Sequence, residues 1–329
     1  MPVDFDKLFQ DITKLKVAVL GDVMLDTYWW GNVDRISPEG PVPVVSVTKR
    51  EYRIGGAGNV ALNVRSFGSA VTIISVIGND PEGNQLKELM ENNNIDTRIL
   101  TSQNRSTTNK IRIIGRNQQM MRLDAETTLD IEPSDEHNLF RQLENYVDSE
   151  IPDVIILQDY NKGVLTGSFI KKVIGLCNKK NIVSAADPKR KNFFGYKHVT
   201  LFKPNLKEVK ESLHIISDEL DEEKMRDIHR QLKEKLEHDI SLITLSDKGI
   251  FYQNETGSGI ISSHLRNIAD VSGAGDTVIA VASLVYAVSK SVNLMAEIAN
   301  IAGGLVCEEV GTVAISKEKL LAECRMLLH

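Results

Sequence analysis

Residues 270–288 read DVSGAGDTVIAVASLVYAV, a run of small residues that leads directly into an apolar helical pattern. Gly273, Ala274 and Gly275 leave backbone N–H groups uncovered at the start of this helix, where unpaired donors and the helix dipole attract anions. Asp276 would lie in the first turn beside such an anion. That position is electrostatically costly unless the carboxylate accepts a proton from an attacking hydroxyl. The alternative is a tight turn in which Asp276 serves as a helix cap.

The rest of the chain alternates short apolar runs with longer helical patterns. The runs that predict strands are residues 17–20, 71–77, 154–157, 182–185 and 242–245. Continuous apolar strands separated by helices are typical of a parallel sheet that is covered on both faces. The sequence therefore predicts an α/β fold with a mostly parallel central sheet.

Two segments, residues 27–54 and 106–123, break this alternation. Both are rich in β-branched and aromatic residues that alternate with polar ones, as half-exposed antiparallel strands do. We expect them to pair as a small β-sheet that projects from the main domain. Its exposed apolar face favours a homodimer or closure over a ligand. Two ordinary edge hairpins are the alternative.

Composition bounds the class of protein. The chain has 329 residues and a formal net charge of -6, which argues against a nucleic-acid partner. Its three cysteines are far apart and form no CxxC, so free thiols are expected rather than disulfides or a zinc site. The first residues, MPVDFDKLFQ, are not a signal peptide, and no apolar run is long enough to cross a membrane. We expect a cytoplasmic protein.

A second glycine-rich segment, IGGAGNVA at residues 54–61, opens another helix. Gly55 and Gly56 permit close backbone approach to a ligand, and the amide of Asn59 suits a sugar hydroxyl. Asp26 follows the first predicted strand, at the edge of the sheet where open α/β folds bind ligands. Its carboxylate would accept hydrogen bonds from a sugar diol.

The same segment also permits a different reading. Gly56, Gly58 and Ala61 match a dinucleotide-binding fingerprint, and Asp80 follows about 20 residues later. However, the preceding residues, TKREYRI at 48–54, are too polar for the buried first strand that this motif requires.

Polar residues follow several strands in the middle of the chain. Asn205 and Glu208 lie three apart, on one face of a helix, and their oxygens suit a hydrated Mg²⁺. A helix cap is the alternative. Lys189 and Lys162 follow two other predicted strands, so several strand ends deliver polar groups to one rim of the sheet.

The segments GGAGN, NLKE and DVSGAGD together resemble the ribokinase/PfkB carbohydrate kinases in order and spacing, over nearly the whole chain. The resemblance implies one kinase domain, residues 1–329, with three α/β/α layers and a β lid, using ATP and Mg²⁺. RISPEGPVPVV (35–45), RNQQMMRLD (116–124) and DYNKG (159–163) are similar to the family's heptose 7-phosphate kinases. Those enzymes phosphorylate O1 on the route to ADP-heptose and the lipopolysaccharide core. They are often joined to a nucleotidyltransferase, which we do not expect here.

The resemblance also assigns roles to residues. Asp276 would be the general base, and Gly273, Ala274 and Gly275 would hold the γ-phosphate. The residues implied for the sugar are Asp26, Gly55, Gly56 and Asn59. Those implied for the nucleotide are Asn205, Thr244, Ser246, Gly249 and Asn300, with Ser246 standing where the family usually has a glycine.

Ion and phosphate sites complete the expectations. Asn205 and Glu208 would organise Mg²⁺ through water, and Asp270 and Ser272 would help to bind a monovalent cation such as K⁺. A phosphorylated sugar needs a basic grip. Arg116 and Lys162 are the preferred candidates for that grip, with Lys189 at the rim.

Two other functions stay open from the sequence. One is a kinase of the same family that acts on an unphosphorylated sugar or a nucleoside. The other is a sugar-binding regulator without catalysis, against which the intact GAGD and NxxE segments argue.

Overall fold

The computed structural model describes residues 3–116, 118–216, 221–264 and 266–328. The strands are β1 (Lys16–Gly21), β2 (Val23–Ile36), β3 (Pro43–Gly56), β4 (Ala70–Gly78), β5 (Asp96–Ser102), β6 (Asn109–Gly115), β7 (Gln118–Ala125), β8 (Val154–Gln158), β9 (Val183–Asp187), β10 (Leu201–Phe202), β11 (Ile240–Thr244), β12 (Ile250–Gln253) and β13 (Ser258–Ile261). The helices are α1 (Phe5–Ile12), α2 (Ala57–Ser66), α3 (Pro81–Asn92), α4 (Pro133–Glu150), α5 (Gly167–Lys180), α6 (Leu206–Leu213), α7 (Glu222–Leu236), α8 (Ala274–Ser289), α9 (Val292–Val306) and α10 (Lys317–Leu327).

Among the described residues, nine strands form the central sheet, in the order β13-β12-β11-β10-β9-β8-β1-β4-β5. The strands from β11 to β5 pair in parallel, and β12 and β13 add an antiparallel edge. One core lies beneath α1, α2, α8, α9 and α10, and the other lies beneath α4, α5 and α7. This arrangement confirms the predicted α/β/α layers, because strands buried on both faces need helices on both sides.

Helix α8 lies inside the protein. Every residue from Asp276 to Val285 is buried, as expected for a helix that is apolar around its whole circumference. The N-cap residue before the helix is Gly273, which has a φ of 82° and gives no side-chain cap. The N–H groups of the first turn are therefore free of a side-chain cap.

The second sheet is the projecting lid. Its order is β3-β2-β6-β7, and each hairpin is antiparallel, as predicted. The two hairpins join through β2 and β6, which run parallel and not antiparallel. The chain between them passes through α2, β4, α3 and β5, so it re-enters the lid from the body and runs in the same direction as β2.

The lid has two chemically different faces, because side chains alternate along each strand. Its inner face is charged, and its outer face is apolar. From the strand register, the inner face carries Asp26, Tyr28, Arg53, Lys110, Arg112 and Asp124. The outer face carries Trp29, Tyr52, Ile111, Ile113, Met121 and Leu123.

The glycine-rich segment before α2 does not follow a central strand. Gly56 ends β3 of the lid, so α2 lacks the buried first strand that a dinucleotide site needs. Asp80 accepts hydrogen bonds from the backbone N–H groups of Gly83 (2.8 Å) and Thr107 (2.7 Å), as a helix cap does. The dinucleotide alternative is therefore wrong.

The three cysteines are free thiols, as expected: Cys177 and Cys324 are buried and Cys307 is half-buried. Within the described ranges, no helix combines the length and the apolar character that a membrane crossing requires.

Candidate active site

The first turn of α8 presents a buried carboxylate. Asp276 is 3% exposed and accepts hydrogen bonds from Asn59 Nδ2 (2.8 Å), Gln158 Nε2 (3.1 Å) and Tyr160 OH (2.7 Å). Burial raises the pKa of Asp276 to about 6, although the bonds from Asn59 and Tyr160 oppose that change. Its partners are side chains of other elements, so the carboxylate does not cap its own helix. A carboxylate with a pKa near neutrality suits a general base.

Glycine is required where α8 begins. A Cβ on Gly273 would stand 2.9 Å from Asn59 Nδ2, and the positive φ strains other residues. Gly273, Gly275 and Asp276 line a cavity of about 210 Å³, into which the uncapped helix N-terminus opens. An anion at this place would meet the positive end of the helix dipole and the N–H groups of the first turn, of which that of Ala274 already donates to Val271 O (3.3 Å).

Two lysines face the same cavity. Lys203 is 2% exposed, and its Nζ lies 2.9 Å from Asp187 Oδ2. Lys189 Nζ lies 2.5 Å from Glu208 Oε1. Although burial opposes it, the carboxylates of Asp187 and Glu208 raise the pKa of Lys189 and keep it charged. The cavity thus offers two fixed cations to phosphate oxygens.

Asn205 and Glu208 form a capping box at the start of α6. Asn205 Oδ1 accepts from Glu208 N (2.8 Å), and Glu208 Oε2 accepts from Asn205 N (2.9 Å). The helix-cap alternative is therefore realised, while Asn205 still lines the cavity. This box fixes both side chains at the cavity edge.

The polar groups of the cavity match the needs of a hydrated Mg²⁺. The described residues contain no cluster of three or more His, Cys, Asp or Glu side chains that would hold a metal by themselves. The buried Asp187 Oδ1 has no hydrogen-bond partner among the described residues, and Asp187 lines the cavity. A few oxygens beside a phosphate cavity fit a cation that keeps most of its water.

The residues predicted for the nucleotide are only partly brought together. Thr244 bridges to Asn205 and lines the cavity. Ser246 follows with a φ of 60°, in the left-handed region that favours glycine. It stands at the position where the carbohydrate-kinase pattern usually has a glycine. Gly249 closes this turn with a φ of 98°. Asn300 is buried on α9 and donates to Ser262 O (2.8 Å), away from the cavity lining.

Asp26 lies where the lid leaves the body. Arg112 Nη1 donates to Asp26 Oδ1 (2.6 Å), and Thr312 Oγ1 contacts Asp26 Oδ2 (3.4 Å). A Cβ on Gly55 would collide with the Asp26 carboxylate, so glycine is needed there for close approach. Gly56 is the last residue of β3 and joins that strand to α2. Asn59, predicted to hold the sugar, donates from its amide to Asp276 Oδ2 (2.8 Å).

The predicted phosphate anchors lie in different places. Lys162 Nζ lies 2.7 Å from Glu126 Oε1, near the base of the lid. Arg116 is exposed at the far end of the lid and donates to Val33 O (2.8 Å). It lies six residues beyond Lys110 along the β6 hairpin, a span of roughly 20 Å. Within one chain, the structure does not bring Arg116 to the cavity.

Asp270 and Ser272 form a tight turn before α8. Asp270 Oδ1 accepts from Ser272 N (2.9 Å) and Ser272 Oγ (2.8 Å), and Asp270 Oδ2 accepts from Gly311 N (2.9 Å). Although burial opposes it, these bonds lower the pKa of Asp270. The turn joins the phosphate-facing segment to the loop at Gly311.

Sequence reasoning assigned no role to several residues of the site. Gln158, Tyr160 and Lys203 each lie at or just after the carboxyl end of a parallel strand, and that position was the available signal. Asp22 is a further residue without an assigned role, and it positions a neighbouring loop. Its carboxylate accepts from the N–H groups of Tyr160 (2.8 Å), Lys162 (2.9 Å) and Val164 (3.0 Å), and so holds the loop that carries Tyr160.

Known proteins are similar to this chain over most of its length. The family model of the pfkB family carbohydrate kinases matches residues 14–319. The bifunctional protein HldE of Aliarcobacter butzleri is 39% identical over 93% of this chain, which spans 64% of that relative's length. The D-beta-D-heptose 7-phosphate kinase of Bordetella bronchiseptica is 36% identical over 95% of this chain and 97% of the relative.

Solved structures share the fold. Phosphofructokinase-2 from Escherichia coli, in complex with potassium, superposes with a TM-score of 0.78 at 16% identity, over 95% of this chain and 99% of its own. Ribokinase from Arabidopsis thaliana, complexed with ribose and ATP, gives a TM-score of 0.71 at 15% identity, over 94% and 99%. With the family model matching most of its length, this chain belongs to the pfkB family of carbohydrate kinases.

Proposed function

We propose that this chain transfers the γ-phosphoryl group of ATP to O1 of D-glycero-β-D-manno-heptose 7-phosphate. The products are heptose 1,7-bisphosphate and ADP, and the step belongs to ADP-heptose synthesis. The observation that carries the reaction type is the buried Asp276, with its pKa raised to about 6, at an uncapped helix N-terminus beside two lysines. The relatives named for heptose 7-phosphate support the sugar.

Each group has a defined part in the transfer. Asp276 accepts the proton of the attacking hydroxyl, so that the sugar oxygen bonds to the γ-phosphorus as the bond to the β-phosphate oxygen breaks. The helix start at Gly273 and Gly275 and the ammonium groups of Lys189 and Lys203 line the cavity and would face the charge on the transferred group. Asn59 and Tyr160 hold the base in place through their hydrogen bonds.

Two ions belong to the proposal. Mg²⁺, when bound, neutralises phosphate oxygens, and Asp187, Asn205 and Glu208 are the residues that would hold it, mainly through water. A monovalent cation such as K⁺ would be bound at the turn of Asp270 and Ser272. Because the reaction consumes ATP, we place it in the cytoplasm.

We also propose that the lid pairs with the lid of a second copy. Its outer face exposes large apolar side chains, with Met121 at 55%, Leu123 at 43% and Tyr52 at 38% exposure. An open apolar sheet face of this kind is stabilised by contact with another apolar face. Two such faces, related by a two-fold axis, would cover each other in a homodimer.

The test is ADP release with ATP, Mg²⁺ and a panel of sugars. We expect turnover with D-glycero-β-D-manno-heptose 7-phosphate and little with the unphosphorylated heptose, ribose, fructose 6-phosphate or adenosine. Selective turnover of a hexose or a nucleoside would keep the kinase and reject the heptose. No turnover with any panel member would instead favour a binding protein without catalysis. Replacing Mg²⁺ with EDTA, and K⁺ with a bulky organic cation, tests the two ions separately.

A further inference from the structure

Lys110 is a basic residue of the lid that has no assigned role. It lies on β6, directly beside Asp26 on β2, and belongs to the charged inner face. Its side chain is half-buried, with Nζ 5.8 Å from the ring centroid of Tyr160. Tyr160 OH in turn donates to Asp276. Lys110 is therefore close both to Asp26, the carboxylate proposed to bind the sugar hydroxyls, and to the proposed base Asp276.

Its ammonium has no matched anion. Nζ of Lys110 makes no hydrogen bond and no ion pair within the described part of the chain, in contrast to Lys189 and Lys203 in the cavity. Burial lowers the pKa of Lys110, the charge of Lys162 adds to that effect, and the carboxylate of Asp26 opposes it from beyond ion-pair distance. A half-buried cation beside a second cation is unfavourable unless an anion joins them.

Two lysines lie near the ring of Tyr160, and their charged neighbours differ. Lys189 Nζ lies 5.5 Å from the ring centroid, and its charged neighbours are Asp187, Glu208 and Asp276. The neighbours of Lys110 are a different set. They are Asp26, Asp124, Glu126 and Lys162. The cavity side thus has Lys189, and the lid side has Lys110 in a corner that holds charges of both signs.

A sugar that spans these two sides would carry a reacting hydroxyl at one end and an anion at the other. Its hydroxyl would lie at Asp276, its ring hydroxyls at Asp26, and its far end beneath the lid at Lys110. The substrate class that fits is a sugar phosphate whose phosphate is remote from the reacting oxygen. Heptose 7-phosphate, with the phosphate on its side arm, has this form.

We propose that Lys110, assisted by Lys162, binds the phosphate that the substrate already carries and so determines specificity for a phosphorylated sugar. This inference rests on the proposed function. Lys162 keeps Glu126 as a partner at 2.7 Å, whereas Lys110 has none among the described residues, so Lys110 contributes more. Arg116, at the far end of the lid, does not take part within the same chain.

The experiment compares KM for the heptose 7-phosphate and for the same heptose without its phosphate. Lys110→Met keeps the apolar stem and removes the charge. We expect KM for the phosphorylated sugar to rise roughly 10- to 100-fold, the usual loss of a bond to a charged group. KM for the unphosphorylated heptose and for ATP should stay unchanged. Lys162→Met should have a smaller effect in the same direction, and Lys110→Arg should restore part of the loss.

Lys49→Met is the matched control, because Lys49 is an exposed lid lysine that pairs with Glu51 (3.1 Å). It should behave as the wild type with both sugars. If the wild type itself does not distinguish the two heptoses, the proposed function fails and not only this inference. A selective wild type with an unchanged Lys110→Met variant would overturn the role of Lys110. Equal losses with both sugars would mean a structural role and would also overturn it.

Discussion

The floor of the cavity, which consists of Asp187, Lys203 and Asp276, and the β lid differ in how their polar groups are paired. On the floor, Asp276 has three donors and Asp187 accepts from Lys203 and Gln158, all within one chain. On the lid, Lys110 is without a matched anion among the described residues, and the outer face exposes Met121. The polar groups of the floor are mostly paired within the chain, with Asp187 Oδ1 left for a ligand, whereas the lid is arranged for groups that come from outside the chain.

This difference separates chemistry from recognition. Buried, mutually paired groups cannot move without loss of several hydrogen bonds, so the floor is preorganised for phosphoryl transfer. The lid has a charged inner face and an exposed apolar outer face, and these faces become covered when a sugar or a second copy of the chain binds. Substitutions on the floor should therefore reduce turnover, and those on the lid should change sugar binding or assembly.

The largest effect is expected on the floor, at Asp276. Asp276→Asn removes the proton acceptor and should lower kcat by about 10² to 10⁴, the range of a general base. Binding of ATP, followed by calorimetry, should remain. Asp227→Asn, an exposed carboxylate on α7, is the control. A near-wild-type kcat would reject Asp276 as the base.

Lys203→Met tests the buried ion pair of the floor. It removes the nearer of two lysines from the Asp187 carboxylate, which is 3% exposed and keeps Lys189 at 3.8 Å, and should destabilise the fold by about 3 kcal/mol. It also removes a cation from the cavity and should lower kcat by roughly 10- to 100-fold. The double variant with Asp187→Asn should regain stability in urea unfolding but not kcat. Recovery of both would show that Lys203 has only a structural role.

The pH profile reports the surroundings of the base. With the pKa of Asp276 raised to about 6, the carboxyl is protonated below that pH, so kcat/KM should fall tenfold per pH unit there. Tyr160→Phe removes a hydrogen bond that lowers this pKa. The acidic limb should therefore move to higher pH, with kcat at pH 7 reduced about 3- to 10-fold. An unmoved limb would separate Tyr160 from the titrating group.

The outer face of the lid should control assembly more than chemistry. Leu123→Glu places a charge on the exposed apolar face and should convert a dimer to a monomer in sedimentation velocity. Activity on the sugar should fall only a few-fold, because the floor remains intact. An unchanged sedimentation coefficient would place any dimer contact elsewhere.

Arg116→Ala should have the smallest effect. Its guanidinium bonds to Val33 O at the far end of the lid, so KM for heptose 7-phosphate should change less than about twofold, as for a surface side chain. A large rise in this KM, with KM for ATP unchanged, would mean that Arg116 reaches a site in the assembled protein. The comparison with Lys110→Met then tells which end of the lid meets the sugar.

Much of the fold followed from local patterns. The five predicted strands and the lid segments lie where the apolar runs and alternating patterns indicated. The hydrophobic pattern of a strand depends only on residues that are close together in the sequence. The segment at 273–276 likewise predicted an uncapped helix start with an acid in its first turn. The parallel pairing of β2 and β6 had no local signal, since it depends on how distant segments return to the lid.

In the site, too, some features follow from the local sequence and others follow only from the tertiary structure. The sequence by itself determined Asp276, its glycines and the strand ends, because those features depend on neighbours along the chain. Only the tertiary structure decided that Asn59 turns to the base, that Lys203 pairs with Asp187, and that Lys110 rather than Arg116 lies near Tyr160. Those outcomes depend on which distant side chains share a low-dielectric space, where each buried charge must find a partner, and residue order does not encode that.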